Sequence, residues 1–234
     1  MKKLIVGLIC VTMLAITLET FAFEGSAVQY QNALDLLKSY EIIAEEQQWK
    51  FDTDPMTRRD TLVIMNNITE AYSHIAIGQT MQDVLGFSFV DLVDGTTDAY
   101  LAMGLCRMGL FYGRMNEVGN HIADLDGYIT NNEGLALLTR LLSVYTISSE
   151  YSQEMLRGLL GGGDDWLYVF AQRVTLINSD NPLDYGVTLS LDEKDEPMKA
   201  STFIRLTERA LYTPITSEAA NFALLYWIDL IRAR

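Results

Sequence analysis

Residues 98 to 115, DAYLAMGLCRMGLFYGRM, place glycines at 104, 109 and 113 inside a run with helical spacing. Each should cost roughly 1 kcal/mol relative to alanine in a helix interior, a loss that close approach of another backbone would offset. Ala99, Ala102, Cys106, Gly109 and Gly113 recur at three- and four-residue intervals and line up as a stripe of small side chains. Leu101, Leu105, Met108, Tyr112 and Met115 form a bulky stripe beside it, and Arg107 and Arg114 share the polar face that remains. The pattern predicts a central, deeply packed, glycine-rich helix over 98–115.

The segments around it read mostly as helix. Residues 26–50 interleave Tyr30, Ala33, Leu34, Leu37 and Ile42 with acidic residues, as an amphipathic first helix would. Pro55 breaks it, and Thr57 can cap a second helix running to about Gly78. A short helix is expected over 80–85, and Leu135, Leu138, Leu141, Leu142 and Tyr145 have core spacing in a helix over 133–148. Two more helices are expected over 149–160 and 165–178, the second capped by Asp164, and two over 198–212 and 214–232. Leu183, Tyr185, Val187, Leu189 and Leu191 alternate with polar residues, which is the signal of a strand. Its candidate partner is the segment from Phe87 to Val93. No internal repeat with a convincing period is visible. The class expected is mainly α: a single-domain multi-helix bundle around the 98–115 helix, with one short two-stranded β element.

The chain opens with Lys2 and Lys3 ahead of an apolar run from Leu4 to Leu18, closed by Glu19, with Thr20 and Ala22 at the −3 and −1 positions of a cleavage site. The run is shorter than the ~20 apolar residues of a spanning helix. It reads as a signal peptide over 1–22, ahead of a single helical domain over 23–234, and the expected destination is periplasmic or extracellular. Two cysteines, Cys10 and Cys106, leave one after cleavage, so no intrachain disulfide is expected. The formal net charge of −14 disfavours nucleic acid and anionic lipid as partners and suits a basic protein partner.

The sharpest local signal is ADLDGYITNNEG, residues 123–134. With Gly127 as the sixth position, Asp124 falls third, Asp126 fifth, the Tyr128 carbonyl seventh, Ile129 eighth and Glu133 twelfth, with Ile122 first. Those positions resemble the calcium loop of an EF-hand, which implies oxygen ligation of calcium. The competing reading is an Asp-Gly turn followed by a cap at Asn131 or Asn132. Residues 119–124, GNHIAD, also resemble the G-x-H-x-x-E signature of imelysin-like proteins, which are secreted and all-helical. On a helix, Glu117, His121 and Asp124 would share one face and could meet a divalent metal, and Glu70 and His74 form a second acidic–histidine pair. Tyr100, Gly104, Gly113 and Val118 resemble the packing positions of a tetratricopeptide helix pair.

Signatures of catalysis are sparse: the chain has no H-E-x-x-H, G-x-S-x-G, C-x-x-C or S-x-x-K, and two histidines in all. The sequence therefore favours a non-enzymatic exported protein that binds a protein partner or ligand. The alternatives are a module binding calcium or another divalent metal through Glu117, His121, Asp124, Asp126 and Glu133, and a hydrolase working through two carboxylates.

Overall fold

The computed structural model describes residues 26–143, 187, 189–215 and 225–234. The chain is mainly helical, as expected. Helix α1 spans 26–39 and buries Tyr30, Ala33, Leu34 and Leu37. It stops well before Lys50, where the chain turns through Glu41 at φ 58°. Helix α2, Arg58–Thr69, starts as its sequence predicts: the Thr57 hydroxyl accepts from the Asp60 N–H at 3.1 Å. It ends at Glu70 in the left-handed region, after which Ala71–His74 form a 3₁₀ turn in place of further α-helix. Helix α3, Met81–Leu85, is capped reciprocally by Thr80 and Asp83.

The central helix, α4, spans Thr97–Arg107, with Thr96 as its cap. Seven consecutive residues, Ala99 to Leu105, are buried, so the helix is enclosed on all sides by α2, α3 and the 71–74 turn. Gly104 behaves as the spacing implies. A Cβ there would stand 2.5 Å from the Ala71 carbonyl oxygen, so the two backbones touch across that glycine. The helix does not continue to 115, however. Gly109 and Gly113 adopt φ of 73° and 65°, conformations that suit glycine and end a right-handed helix, and the chain leaves in a hairpin. Tyr112 and Met115, expected on a packed stripe, are half exposed.

That hairpin pairs β1, Arg114–Met115, with β2, His121–Ile122, antiparallel, Arg114 opposite Ile122 and Met115 opposite His121. Residues 117–124 therefore do not form a helix. Helix α5, Asn131–Ser143, follows; a second 3₁₀ turn spans Leu191–Glu193; α6 spans Ala200–Leu211; β3, Pro214–Ile215, pairs with β4, Leu225–Tyr226; and α7 spans Trp227–Arg232. Among the described residues the expected pairing of 183–191 with 87–93 is not found: 87–93 is turn and irregular chain, Leu191 begins the 3₁₀ turn, and residue 188 lies outside the described residues. Residues 183–186, the expected helices over 149–160 and 165–178, and the end of the one over 133–148 lie outside the described residues. The expected final helix over 214–232 begins instead as strand. Among the described residues no helix is long and apolar enough to cross a membrane.

The starts of α2, α5 and α6 are laced together by one repeated device. Pro55-Met56-Thr57, Tyr128-Ile129-Thr130 and Pro197-Met198-Lys199 each run extended into a helix, and pair through the antiparallel bridges Pro55–Lys199, Thr57–Tyr128 and Thr130–Pro197. The Met56 N–H donates to the Met198 carbonyl (2.8 Å), Met198 to Ile129 (2.8 Å) and Ile129 to Met56 (3.1 Å), closing a ring. The first N–H of each helix is satisfied in the opposite cyclic order: Arg58 to the Gly127 carbonyl, Asn131 to Glu196 and Ala200 to Asp54, at 2.8, 3.0 and 2.8 Å. Donors that a helix start leaves orphaned are thus met by neighbouring loops. Met56, Ile129 and Met198 are buried at the ring's centre. The three junctions are 73 and 69 residues apart, and although two of them share Pro-Met the third reads Tyr-Ile, so no sequence period announces them.

Candidate functional site

By clamping the first turns of α2 and α5 side by side, the ring brings Arg58 against Glu133. A base at a helix start opposes the helix dipole, so it needs an anion from elsewhere. Arg58 is 3% exposed, and burial pushes its guanidinium below the usual range, with the Glu133 charge opposing that shift. It remains a cation nonetheless. Its Nη2 donates to both Glu133 oxygens, at 2.6 and 2.5 Å. Glu133 is also held by its own helix: Thr130 N–H donates to its Oε2 (2.9 Å), and the Thr130 hydroxyl accepts from the Glu133 N–H (3.2 Å). Thr130, and neither Asn131 nor Asn132, is therefore the cap.

The hairpin delivers a second guanidinium. Arg114, in β1, donates from Nε and Nη2 to Glu133 and from Nη1 to Asp124, all at 3.1 Å. Asp124 sits at φ 51°, its N–H and that of Ala123 donating to the Asp91 carboxylate at 2.7 and 2.8 Å. Gly127 leaves room for the Asp124 carboxylate, which a Cβ at that position would meet at 2.5 Å. The D-x-D-G spacing here serves to fold Asp124 back over its own turn and onto Arg114.

Of the five residues proposed from sequence as metal ligands, Asp124 and Glu133 come together, and they do so around guanidiniums. Asp126 is exposed and accepts from Arg59 at 3.1 Å. Glu117 lies exposed in the hairpin loop, and His121 stacks on Phe87 with centroids 4.1 Å apart. Glu117, His121 and Asp124 do not share a helix face, because the chain there is strand and loop. Glu70 of the other acidic–histidine pair is 3.4 Å from Arg234. Among the described residues no group of three or more histidine, cysteine or acidic side chains is placed to hold a metal ion.

Beside the Arg58–Glu133 pair, between α2 and α5, is a cavity of about 240 Å³. Leu62, Leu110, Phe111, Ile129 and Leu137 give it an apolar wall, and Arg58, Asn132, Glu133 and Arg140 a polar one. Arg140 donates to the Leu110 carbonyl at 3.2 Å and lies 4.8 Å over the Tyr112 ring, so its guanidinium is oriented from two sides. A wider groove of about 600 Å³ near Tyr40 and Tyr72 is occupied at one side by Arg234, which donates to the Ile68 carbonyl at 2.6 Å.

No protein-family model matches the chain, and no curated protein matches it. What the site can do is therefore set by its own chemistry. Its two carboxylates accept from guanidiniums. Cys106 is the one cysteine among the described residues, and burial pushes its thiol up to about 12, so it stays protonated at neutral pH. Arg58 and Arg114 were not legible as site residues from spacing; the one available signal was a base, Arg58, in the first turn of a helix.

Proposed function

We propose that this chain is an exported, non-enzymatic binding protein whose ligand enters the cavity between α2 and α5. The observation that carries the reading is that cavity: an apolar wall faced by two guanidiniums, built on helices clamped at their starts. Pockets of mixed lining on a rigid scaffold suit binding. The amino-terminal pattern of Lys2, Lys3 and the apolar run supports export. Engagement of Asp124 and Glu133 by arginine supports binding over carboxylate hydrolysis, and equally over calcium ligation, since a cation would have to displace Arg58 or Arg114.

A protein partner is the second reading. Val90, Met115 and Val118 are 60%, 58% and 80% exposed, and Val90 is joined to the hairpin by its N–H donating to the His121 carbonyl at 2.9 Å. On an acidic molecule, such an apolar edge suits a basic partner.

The test pairs a thermal-shift screen of small molecules with turnover assays on ester, peptide and glycan substrates and a calcium titration. The expected result is stabilisation by a subset of small molecules, no turnover, and no calcium heat above background at millimolar metal. Turnover, or calcium heat that disappears in Glu133→Gln, would overturn the reading.

A further inference from the structure

The groove of about 600 Å³ beside Tyr40 and Tyr72 shares no lining residue with the cavity between α2 and α5. Its volume lies within the roughly 300–1,000 Å³ of small-molecule sites. Two helices end on it: Ser39 and Tyr40 close α1, and Asn66, Asn67 and Glu70 close α2. The carbonyl end of a helix carries a partial negative charge and favours a cation. At α2 the chain supplies one: the Arg234 guanidinium donates to the Asn67 and Ile68 carbonyls at 3.3 and 2.6 Å and stands 3.4 Å from Glu70. A second guanidinium, that of Arg232, donates to the Tyr40 hydroxyl at 2.9 Å and lies 5.9 Å from the centre of its ring. Half of the groove's aromatic and acidic side chains are thus already matched to guanidiniums.

The other half, Glu41 and Tyr72, is not. Glu41, just past the end of α1, makes no ion pair among the described residues, and Lys38, the one base on α1, is turned to the Glu45 carbonyl at 2.6 Å. Tyr72 is 43% exposed and is held against Tyr100 in a T, centroids 5.7 Å apart, with no cation on its ring among the described residues. The hydroxyls beside them narrow the ligand further. Ser39 and Ser73 spend their hydrogens on the Leu36 and Glu70 carbonyls, at 2.7 Å each, which leaves both as acceptors. Together with the Glu41 and Glu70 carboxylates they make an acceptor-rich lining, which selects a head group that only donates, as guanidinium and ammonium groups do. A formal net charge of −14 adds long-range attraction for such a cation. We propose that this groove binds a small organic cation, its guanidinium or ammonium head on Glu41 and Tyr72 and its alkyl stem against Ile231. The site stands independently of the cavity between α2 and α5 and of the reading proposed for it.

The full chain, labelled at its isoleucine methyls and titrated by NMR with butylguanidinium and with its neutral isostere butylurea at matched ionic strength, tests the proposal. Butylguanidinium shifts the Ile231 methyl saturably and leaves that of Ile129, which lines the other cavity, in place. Butylurea binds at least about fivefold more weakly, as loss of an exposed ion pair implies. Glu41→Gln weakens butylguanidinium about fivefold and Tyr72→Leu about threefold. Both positions are exposed, so neither change reaches the core. Butylurea binding as tightly as the cation, an unchanged affinity in Glu41→Gln, or no saturable shift of Ile231 overturns the proposal and leaves the reading of the other cavity untouched. A shift of Ile129 in place of Ile231 overturns it too, and puts the cation between α2 and α5 instead.

Discussion

Arg58 Nη2 donates to both carboxylate oxygens of Glu133, joining the first turns of α2 and α5 across 75 residues of chain. Arg58 is buried, whereas the Glu133 side chain is 34% exposed. Removing the negative partner leaves a cation with nowhere to hydrate, which is far costlier than removing both charges. Glu133→Gln should lower stability by about 2–3 kcal/mol, toward the low end for buried pairs because Glu133 reaches solvent. The double variant Arg58→Met with Glu133→Leu should cost less than the single one. Urea unfolding of the three proteins checks this; a double variant weaker than Glu133→Gln would contradict it.

Gly104 and Gly134 make a matched pair of helical glycines. At Gly104 an added methyl meets the Ala71 backbone carbonyl, which cannot step aside. At Gly134 it meets the flexible tail of Met198 and the end of Ile129. Gly104→Ala should therefore lose about 1–3 kcal/mol by overpacking, despite the better helix propensity of alanine. Gly134→Ala should fall within about 1 kcal/mol of the parent, Met198 adjusting. Equal effects in thermal or urea unfolding would show that the backbone contact at Gly104 is not what limits that site.

These glycines also show how far the sequence could be read. The argument that a helical glycine marks a close backbone approach holds at Gly104 and fails at Gly109 and Gly113. Nothing local separates those two from the first: each sits at helical spacing beside bulky residues, and a left-handed turn leaves no mark other than the glycine itself. Thr57 and the core spacings of α4 and α5 were readable because caps and periodicity act within a few residues. The ring through Met56, Ile129 and Met198 was not, since its bonds are made by backbone, and a Pro-Met pair shared by two of its three junctions does not say that they meet. Asp124 and Glu133 were read among five metal ligands, but the groups they meet, Arg58 and Arg114, are not marked by spacing, and an acidic loop alone looks like a cation site.

Cys106 is enclosed enough that burial pushes its thiol up to about 12. At about pH 8 its thiolate fraction is then of the order of one in ten thousand, against a substantial fraction for an ordinary thiol. Alkylation of Cys106 by iodoacetamide, followed by peptide mass spectrometry, should be at least about a hundredfold slower in the folded protein than in urea. Comparable rates would contradict the burial.

Glu208, on α6, has its carboxyl raised above the ordinary glutamate range, chiefly by burial, with Arg209 and Arg205 acting against the shift. The folded state thus holds this proton more tightly than the unfolded chain, so the group's contribution to stability falls as pH rises from the ordinary range through the raised value. Glu208→Gln should raise the urea midpoint near neutral pH, and the gain should vanish as pH falls to about 4. A gain independent of pH would point to packing in place of ionisation.

The central claim is that the space between α2 and α5 is a ligand site. Methyl-labelled protein titrated with the small molecule that stabilises it most in the thermal-shift screen, and followed by NMR, tests it most directly. The account predicts that the Leu62, Leu110, Ile129 and Leu137 methyl resonances shift together and saturate, while those of Leu34 and Leu211, buried elsewhere in the core, stay in place. Four unmoved resonances at millimolar ligand, or saturable shifts at Leu34 and Leu211 instead, would contradict it.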